Sequence, residues 1–277
     1  MKYGNLHLHS TFSDAQFTPE QLILIGKSLG YRALALTDHE TDGGVREMMH
    51  HAEKQGEIEV LSGIEFYGEY DHVNLHLVAL DYDMDNPALR AFVRERVERY
   101  TEYTRRCVEY GREIGVIDGI DWDDVLAIAG EGAWICIDTV CNAYRAKRIQ
   151  IPDNLRQDVF KAPQTLAQKP KNPTAEQVIH TIRGADGIAI LAHPNKQTHY
   201  VSALVDMGLN GIEVCHPSMT EETLPLADAA AEAFHLYRSG GTDHTGPMSG
   251  CGGRHAIPVF NGVSEEEYRT IKERKLN

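Results

Sequence analysis

The chain of 277 residues lacks the features that mark membrane and secreted proteins. No apolar run approaches the roughly 20 residues that a membrane-spanning helix needs, so the sequence predicts no membrane partner. Its five cysteines form no CxxC motif and cannot all pair, which is typical of a protein in a reducing compartment. A first candidate functional residue at position 7 leaves no room for a cleaved signal peptide. We therefore expect a cytoplasmic location.

Positive charge is also scarce. The sequence has 27 Lys and Arg against 41 Asp and Glu, which gives a formal net charge of −14. Binding to a nucleic-acid backbone needs clustered cations, so this composition argues against nucleic acid as the main partner. Several of the carboxylates could instead be metal ligands, and bound divalent ions would reverse the sign of the local charge.

Histidines and a carboxylate are closely spaced near the N-terminus. His7 and His9 lie two residues apart on a short apolar run that predicts a strand, so their side chains point to the same side. Asp14 follows five residues later, and His39 comes just after the next strand-like run, residues 32–36. Imidazole and carboxylate together suit Zn, Mn, Fe or Ni better than Mg or Ca. This pattern predicts a metal site.

Groups of the same chemistry accompany later apolar runs, and they are Glu65, His76, His193, Asp243 and His244. Most of them stand at the C-terminal end of a run, where parallel α/β architectures place their catalytic groups. His76 lies in the middle of its run instead, as expected of a side chain that points into the mouth of a barrel.

Taken together, these segments resemble the PHP family, which is named for polymerase and histidinol phosphatase. The matching segments are His7-x-His9 with Ser13-Asp14, Thr37-Asp38-His39, Gly63-x-Glu65, His76, Ala192-His193-Pro194 and Gly241-Thr242-Asp243. They span nearly the whole chain in the order of the family. The short stand-alone bacterial branch, which acts on small phosphorylated metabolites, is the most similar.

The resemblance implies a centre of two or three divalent ions, Mn, Fe or Zn, held by catalytic residues. The implied ligand sets are His7, His9, Glu65 and Asp243 for one ion, Glu65, His76 and His193 for a second, and Asp14, His39 and His244 for a third. The family usually closes with Asp-x-His, but here Thr245 stands at the histidine position. Either His244 replaces that ligand by a local shift, which we favour, or one ion is held by fewer protein groups.

The expected fold is α/β, a distorted (β/α)7 barrel with an all-helical insert over its C-terminal mouth. Strand and helix signals alternate in residues 1–82 and 174–277, which would form the metal-binding barrel. Residues 83–173 form the predicted insert, because a long charged helix starts at Asn86-Pro87 and Asp121 and Asp138 are candidate N-caps of further helices.

Cations of the right type to bind a phosphate occur in both predicted units. The candidate substrate-binding residues are Lys196, Arg145, Arg148, Arg254 and His216. His216 is also a candidate general acid, because it follows a predicted strand of the barrel. We expect at least one cation from the insert and one from the barrel to contact the substrate.

The predicted function is a metal-dependent phosphoesterase that hydrolyses a small phosphorylated metabolite, a sugar or nucleotide phosphate, and releases phosphate. A polynuclear centre could open a cyclic phosphodiester and then hydrolyse the monoester, because its nucleophile comes from the metals and no Ser, Cys or Asp nucleophile motif is evident.

Two alternatives stay open at this point. Amidohydrolases that cleave C–N bonds share HxH barrels, although Glu65 stands where their bridging carbamylated lysine would be expected. A non-catalytic or proofreading metal-binding module of a replication complex is the other alternative.

Overall fold

The computed structural model describes residues 2–246 and 261–276, and this part of the chain contains eight strands and ten α-helices. The strands are β1 Gly4–Leu8, β2 Ala33–Leu36, β3 Glu59–Leu61, β4 Gly63–Tyr70, β5 Val73–Leu80, β6 Ile188–Leu191, β7 Gly211–Cys215 and β8 Tyr237–Gly240. The helices are α1 Pro19–Ser28, α2 Val45–Gln55, α3 Pro87–Glu113, α4 Trp122–Ile128, α5 Ile137–Ala146, α6 Pro163–Leu166, α7 Ala175–Gly184, α8 Val201–Asp206, α9 Leu224–Ala233 and α10 Glu265–Lys272. A π-helix, Leu155–Phe160, and a 3₁₀ turn, Thr198–Tyr200, complete the set.

The strands form two sheets, and this α/β arrangement agrees with the predicted class. Strands β1, β2 and β3 make a parallel sheet, and β4 to β8 make a second sheet in sequential order. The second sheet is mixed: β4, β5 and β6 are antiparallel neighbours, whereas β6, β7 and β8 are parallel.

The expectation of about seven repeated βα units is therefore wrong at β4 and β5. Only Asp71 and His72 connect these strands, and both have positive φ angles, 48° and 61°. A two-residue connection of this kind forms an antiparallel hairpin, since a parallel crossover needs a dozen or more residues.

The two sheets meet at isolated bridges rather than through continuous ladders. Leu8 at the end of β1 pairs with His244, and His39 pairs with Glu65 of β4, both in parallel. A closed barrel is not shown by this pairing. Both bridges involve candidate ligands or their direct neighbours, so the junction of the sheets is where the candidate site lies.

Several predicted helix starts are confirmed by capping boxes at Thr18, Asp121, Thr174 and Ser264. The predicted cap at Asp138 is wrong, because α5 begins at Ile137 with Cys136 as its N-cap. The hydroxyl of Thr139 accepts a hydrogen bond from the Cys136 backbone N–H at 3.2 Å, which leaves Asp138 inside the first turn.

Every element between β5 and α7 is helical, and these helices have an apolar cluster of their own. Its largest buried members include Tyr144, Tyr103 and Phe160. This arrangement supports the proposal that residues 83–173 are an insert between two parts of one α/β body. None of the described helices is both long and apolar enough to cross a bilayer.

Candidate metal centre

The chain brings its two ends together around His7. A Cβ on Gly241 would lie 2.4 Å from the backbone N of His7, so only glycine permits this close approach. Immediately after it, the backbone N–H of Asp243 donates to the carbonyl of His7 at 2.9 Å. The contact places Asp243, from the end of the second sheet, beside the His7-x-His9 pair of the first.

The carboxylate of Glu65, which is only 1% exposed, lies at the middle of five imidazoles. The distances from Oε1 are 2.9 Å to His76 Nδ1, 3.2 Å to His193 Nε2 and 3.4 Å to His7 Nε2. The distances from Oε2 are 3.1 Å to His39 Nδ1 and 3.3 Å to His9 Nε2. Because ligand-type nitrogens lie near both of its oxygens, Glu65 would contribute to more than one metal site.

Two further carboxylates complete the ring of donors. Asp243 Oδ1 lies 3.0 Å from His9 Nε2 and 3.7 Å from His7 Nε2. Asp14 lies 3.5 Å from His9 Nδ1 and 3.7 Å from His39 Nε2. All eight residues that the sequence motifs single out as catalytic ligands are thus within one cluster.

Ligand atoms that lie within 4.8 Å of one another form four groups among the described residues. These groups are His7, His9, Glu65 and Asp243; His9, Asp14 and His39; His39, Glu65 and His76; and His7, Glu213 and His216. The first equals one of the expected sets. The third places His39 with Glu65 and His76, where His193 was expected, although His193 also reaches Glu65.

The charges of the cluster depend on one another. Burial lowers the pKa of His7, but neighbouring carboxylates, led by Glu213, outweigh this and hold that pKa well above its usual value. The pKa of His9 is also raised well above its usual value, where burial is opposed first by Asp14. Burial raises the pKa of Glu65, yet the surrounding imidazoles hold it well below its usual range. Without metal, protons on the imidazoles therefore provide the positive charge that the carboxylates require.

The residues fit divalent ions. Among the described residues, the buried atoms His7 Nε2, His9 Nε2, His39 Nδ1 and Glu65 Oε2 make no hydrogen bond, although they face one another across the cluster. Burial also lowers the pKa of His39 well below its usual value, which favours the neutral imidazole that a metal needs. A metal cation would be the binding partner that these nitrogen and oxygen atoms otherwise lack.

Sequence analysis missed Glu213 as a member of the cluster. Glu213 Oε1 accepts a hydrogen bond from His7 Nδ1 at 2.8 Å, and Oε2 accepts one from the backbone N–H of His193 at 2.6 Å. The available signal was a single acidic residue within the apolar run of β7.

Asp38 has a structural role next to the centre. It accepts hydrogen bonds from Ser10 and Ser13 and so fixes the loop that carries Asp14.

His244 and His216 occupy different places from those expected. The His244 ring stacks on Phe17, with centroids 5.5 Å apart, and belongs to none of the four ligand groups found among the described residues. Thr245 instead faces the cavity at the centre. His216 Nε2 lies 3.3 Å from Asp243 Oδ2, so His216 contacts a candidate ligand.

A cavity of about 340 Å³ opens onto the centre. Its wall combines candidate ligands with residues of the helical insert, which are Trp134, Cys136, Ile137, Asp138 and Arg156. This cavity is not lined by three of the cations that were expected to bind substrate, which are Lys196, Arg145 and Arg148. The fourth, Arg254, lies outside the described residues. Arg156, on the π-helix, is a cation that does line it, and sequence analysis missed it.

Comparison with known proteins agrees with this geometry. Residues 5–104 match the PHP domain family. This segment of the chain is therefore similar to a PHP domain. The matched segment includes His7, His9, Asp14, His39, Glu65 and His76, whereas His193 and Asp243 lie beyond it. The resemblance inferred from the motifs is confirmed.

Curated relatives of this protein are named as enzymes that act on phosphoester bonds. It is 29% identical to the 5′-3′ exoribonuclease Rnm of Salmonella typhimurium, over 88% of this chain and 85% of the relative. It is 28% identical to the phosphoribosyl 1,2-cyclic phosphate 1,2-diphosphodiesterase of Eggerthella lenta, over 87% and 94%. It is 27% identical to the 3′,5′-nucleoside bisphosphate phosphatase of Chromobacterium violaceum, over 89% and 88%.

A solved structure shares the whole fold. The crystal structure of a protein from Bifidobacterium adolescentis, assigned as a metal-dependent phosphoesterase, superposes with a TM-score of 0.82 at 26% identity. The alignment covers 99% of this chain and 96% of that one. The match to the PHP domain family, these relatives and this structure together support a phosphoesterase function.

Proposed function

We propose that this phosphoesterase is metal-dependent and hydrolyses small phosphate esters of ribose or ribonucleotides, either monoesters or cyclic diesters. The observation that carries the proposal is the Glu65 carboxylate among five imidazoles at the floor of a cavity with one insert arginine. The three curated relatives are named for different substrates, which are RNA, a phosphoribosyl cyclic phosphate and a nucleoside bisphosphate, and each of these is a phosphate ester of a nucleoside or of ribose.

The proposed ligands for one ion are His7, His9, Glu65 and Asp243. The other candidate groups, around Asp14 and His76, would hold one or two more ions, Mn, Fe or Zn. When bound, such ions supply Lewis acidity toward phosphoryl oxygens and activate water as the nucleophile at neutral pH. Since ligand-type nitrogens lie near both oxygens of Glu65, this residue would contribute to the binding of more than one ion.

The insert would select the substrate. Arg156 can bind a phosphate oxygen with a charge-assisted hydrogen bond, and Trp134 and Ile137 give the cavity an apolar wall. A volume of about 340 Å³ is at the small end of the range for ligand pockets, which suits a sugar phosphate or a single nucleotide.

Free thiols at Cys107, Cys136, Cys141 and Cys215 support the proposed cytoplasmic location.

The test is hydrolysis by metal-free protein to which Mn²⁺ is added, measured as release of inorganic phosphate from monoesters and, by ³¹P NMR, as release of the ring-opened monoester from the cyclic diester. The substrates are ribose 5-phosphate, a nucleoside 3′,5′-bisphosphate, ribose 1,2-cyclic phosphate and p-nitrophenyl phosphate, with an N-acetylated amino acid as the amide control. We expect Mn²⁺-dependent release from at least one ribose ester and none from the amide. Hydrolysis of the amide alone would favour a C–N hydrolase. No turnover of any ester, with metal shown to be bound, would favour a non-catalytic module.

A second candidate function is removal of nucleotides from the 5′ end of RNA. Three of the curated relatives are named as 5′-3′ exoribonucleases, which favours this reaction despite the net charge of −14. A short oligoribonucleotide with a 5′ phosphate, compared with the same oligomer with a 5′ hydroxyl, separates the two candidates. Stepwise shortening of the phosphorylated oligomer supports the exonuclease, and turnover of mononucleotide esters alone supports the small-molecule enzyme.

A further inference from the structure

Strand β7 places a second row of polar side chains beneath the candidate ligands. Glu213, in the middle of this strand, is 1% exposed, and His216 follows the strand at 5% exposure. Neither faces the cavity at the centre. Burying a carboxylate is costly unless its hydrogen-bonding capacity is used, so the partners of Glu213 indicate its role.

Both oxygens of Glu213 contact candidate ligand residues from different strands. Oε1 accepts from the His7 imidazole at 2.8 Å, and Oε2 accepts from the His193 backbone N–H at 2.6 Å. We propose that Glu213 is a positioning residue that fixes His7 and His193 in the geometry needed to bind metal. This inference rests on the proposed metal centre but does not depend on which phosphate ester is hydrolysed.

The bond to His7 would set which ring nitrogen carries the proton. An ionised carboxylate only accepts hydrogen bonds, so Nδ1 of His7 must be protonated to donate to it. In the neutral imidazole this leaves the lone pair on Nε2, which lies 3.4 Å from Glu65 and 3.7 Å from Asp243. Nε2 is therefore the atom prepared for a metal. Carboxylate partners of ligating histidines act in this way and raise the basicity of the ligand.

The bond to His193 would hold a strained backbone. His193 has a φ of 28°, a conformation that a non-glycine residue adopts at a cost and that surrounding contacts must maintain. Its N–H points to Glu213 while its Nε2 lies 3.2 Å from Glu65. One buried carboxylate thus links the orientation of an imidazole from β1 to the backbone that follows β6.

His216 contacts the candidate ligand Asp243 in a similar way. The backbone N–H of Ser218 donates to His216 Nδ1 at 3.1 Å, so this nitrogen is an acceptor and the proton lies on Nε2. That nitrogen faces Asp243 Oδ2 at 3.3 Å. His216 therefore lies against the candidate ligand Asp243, as Glu213 lies against His7.

Glu213→Gln tests the proposal, because an amide keeps the shape and loses half of the acceptors. If the oxygen of the new amide accepts the hydrogen bond from the His193 backbone N–H, the NH₂ group of the amide faces His7 Nδ1. Nδ1 of His7 must then accept a hydrogen bond, and the ring proton moves to Nε2. Glu213→Asp keeps two acceptors on a shorter side chain and is the conservative variant. Glu59→Gln is the matched control, since Glu59 accepts from Tyr268 far from the centre.

The first readout is the tautomer of His7 in the metal-free protein, at a pH high enough that its ring has lost the second proton and is neutral. It is measured from long-range ¹H–¹⁵N spectra assigned with a His7→Gln variant. The second is binding of Zn²⁺ by calorimetry and metal content after dialysis, with folding checked by circular dichroism. We expect Glu213→Gln to lose the Nδ1–H tautomer and about 10–100-fold in metal affinity. Glu213→Asp should recover part of the affinity, and Glu59→Gln should match the wild type.

Three outcomes would overturn the inference. The first is Glu213→Gln with wild-type affinity and an unchanged tautomer. The second is loss of one whole ion with an unchanged His7 tautomer, which would make Glu213 a ligand. The third, should Glu213→Gln fail to fold, is Glu213→Asp with unchanged affinity and tautomer. If the wild-type protein binds metal but hydrolyses no ester, the proposed function is refuted and the inference about Glu213 is not affected.

Discussion

Arg96 of the insert and Glu40 of the α/β body form a buried, bidentate ion pair. Arg96 Nε donates to Glu40 Oε2 at 2.7 Å and Nη2 donates to Oε1 at 3.1 Å, with exposures of only 4% and 0%. Glu40 directly follows the candidate ligand His39, and its backbone N–H donates to the carbonyl of Glu65 at 2.9 Å. The pair therefore connects the long helix α3 to the backbone that carries two ligands of the centre.

Removal of one member of this pair should destabilise the fold strongly. Arg96→Met would leave the Glu40 carboxylate buried without its cation, at a cost of about 3–5 kcal/mol in the free energy of unfolding. Denaturant unfolding monitored by circular dichroism measures this change. The control is Arg99→Met, whose exposed pair with Glu95 should contribute less than about 1 kcal/mol. A double variant with Glu40→Gln should recover much of the loss, and equal effects of the two arginine changes would contradict the expectation.

The effect of metal on stability should grow as the pH rises. The native pKa values of His7 and His9 lie above the unfolded value of 6.5, so their stabilising protons are fully bound below pH 6.5 and are lost as the pH rises through the native pKa values. Glu65 and Asp243 have lowered pKa values, and their contribution is present above the unfolded values of 4.5 and 3.8 and is lost as the pH falls. The metal-free protein should thus weaken above neutral pH, where a metal replaces the protons.

Thermal unfolding with and without Zn²⁺ between pH 6 and 8 measures this dependence. The increase in Tm caused by metal should be larger at pH 8 than at pH 6. An increase that is constant or becomes smaller with pH would contradict proton displacement at the centre. A His50→Gln variant, changed at an exposed helix position, serves as the control and should follow the wild type.

Arg156 should affect substrate binding more than stability. It lines the cavity at the centre and is exposed, so Arg156→Gln removes a charged hydrogen bond to phosphate without opening the core. Loss of about 1.5–3 kcal/mol of such a contact corresponds to roughly 10–100-fold in kcat/KM. Arg148→Gln, which changes an exposed cation away from this cavity, is the matched control. Steady-state phosphate release with a ribose ester tests both, and equal effects would remove Arg156 from the site.

The parts of the centre that sequence analysis predicted are those encoded by short-range patterns. His7-x-His9 follows from the two-residue period of a strand, and His193 and Asp243 from the ends of apolar runs. Capping residues such as Thr18 and Thr174 gave the helix starts for the same reason.

The parts it missed depend on long-range packing. Glu213 contacts His7 across 206 positions, and nothing near it in sequence distinguishes a positioning carboxylate from an isolated buried acid. Arg156 reaches the cavity only because the insert folds over the body, which the local sequence around the π-helix does not specify. The hairpin of β4 and β5 was missed for another reason: its turn, Asp71-His72, has no glycine to mark the positive φ angles.

The two residues after Asp243 offer a test of the ligand group formed by His9, Asp14 and His39. His244 stacks on Phe17, whereas Thr245 faces the same cavity as Asp14 and His39. We therefore expect His244→Gln to keep the metal content of the wild type, and Thr245→His to add an imidazole beside the Asp14 and His39 group. Elemental analysis of dialysed protein and Zn²⁺ calorimetry measure both changes, with Thr245→Val as the control that adds no ligand. A higher content or tighter binding in Thr245→His alone is the expected result, because the new imidazole adds a donor to the three groups, His9, Asp14 and His39, that would hold this ion. Loss of an ion from His244→Gln would instead identify His244 as the ligand and require the segment after β8 to rearrange when metal binds.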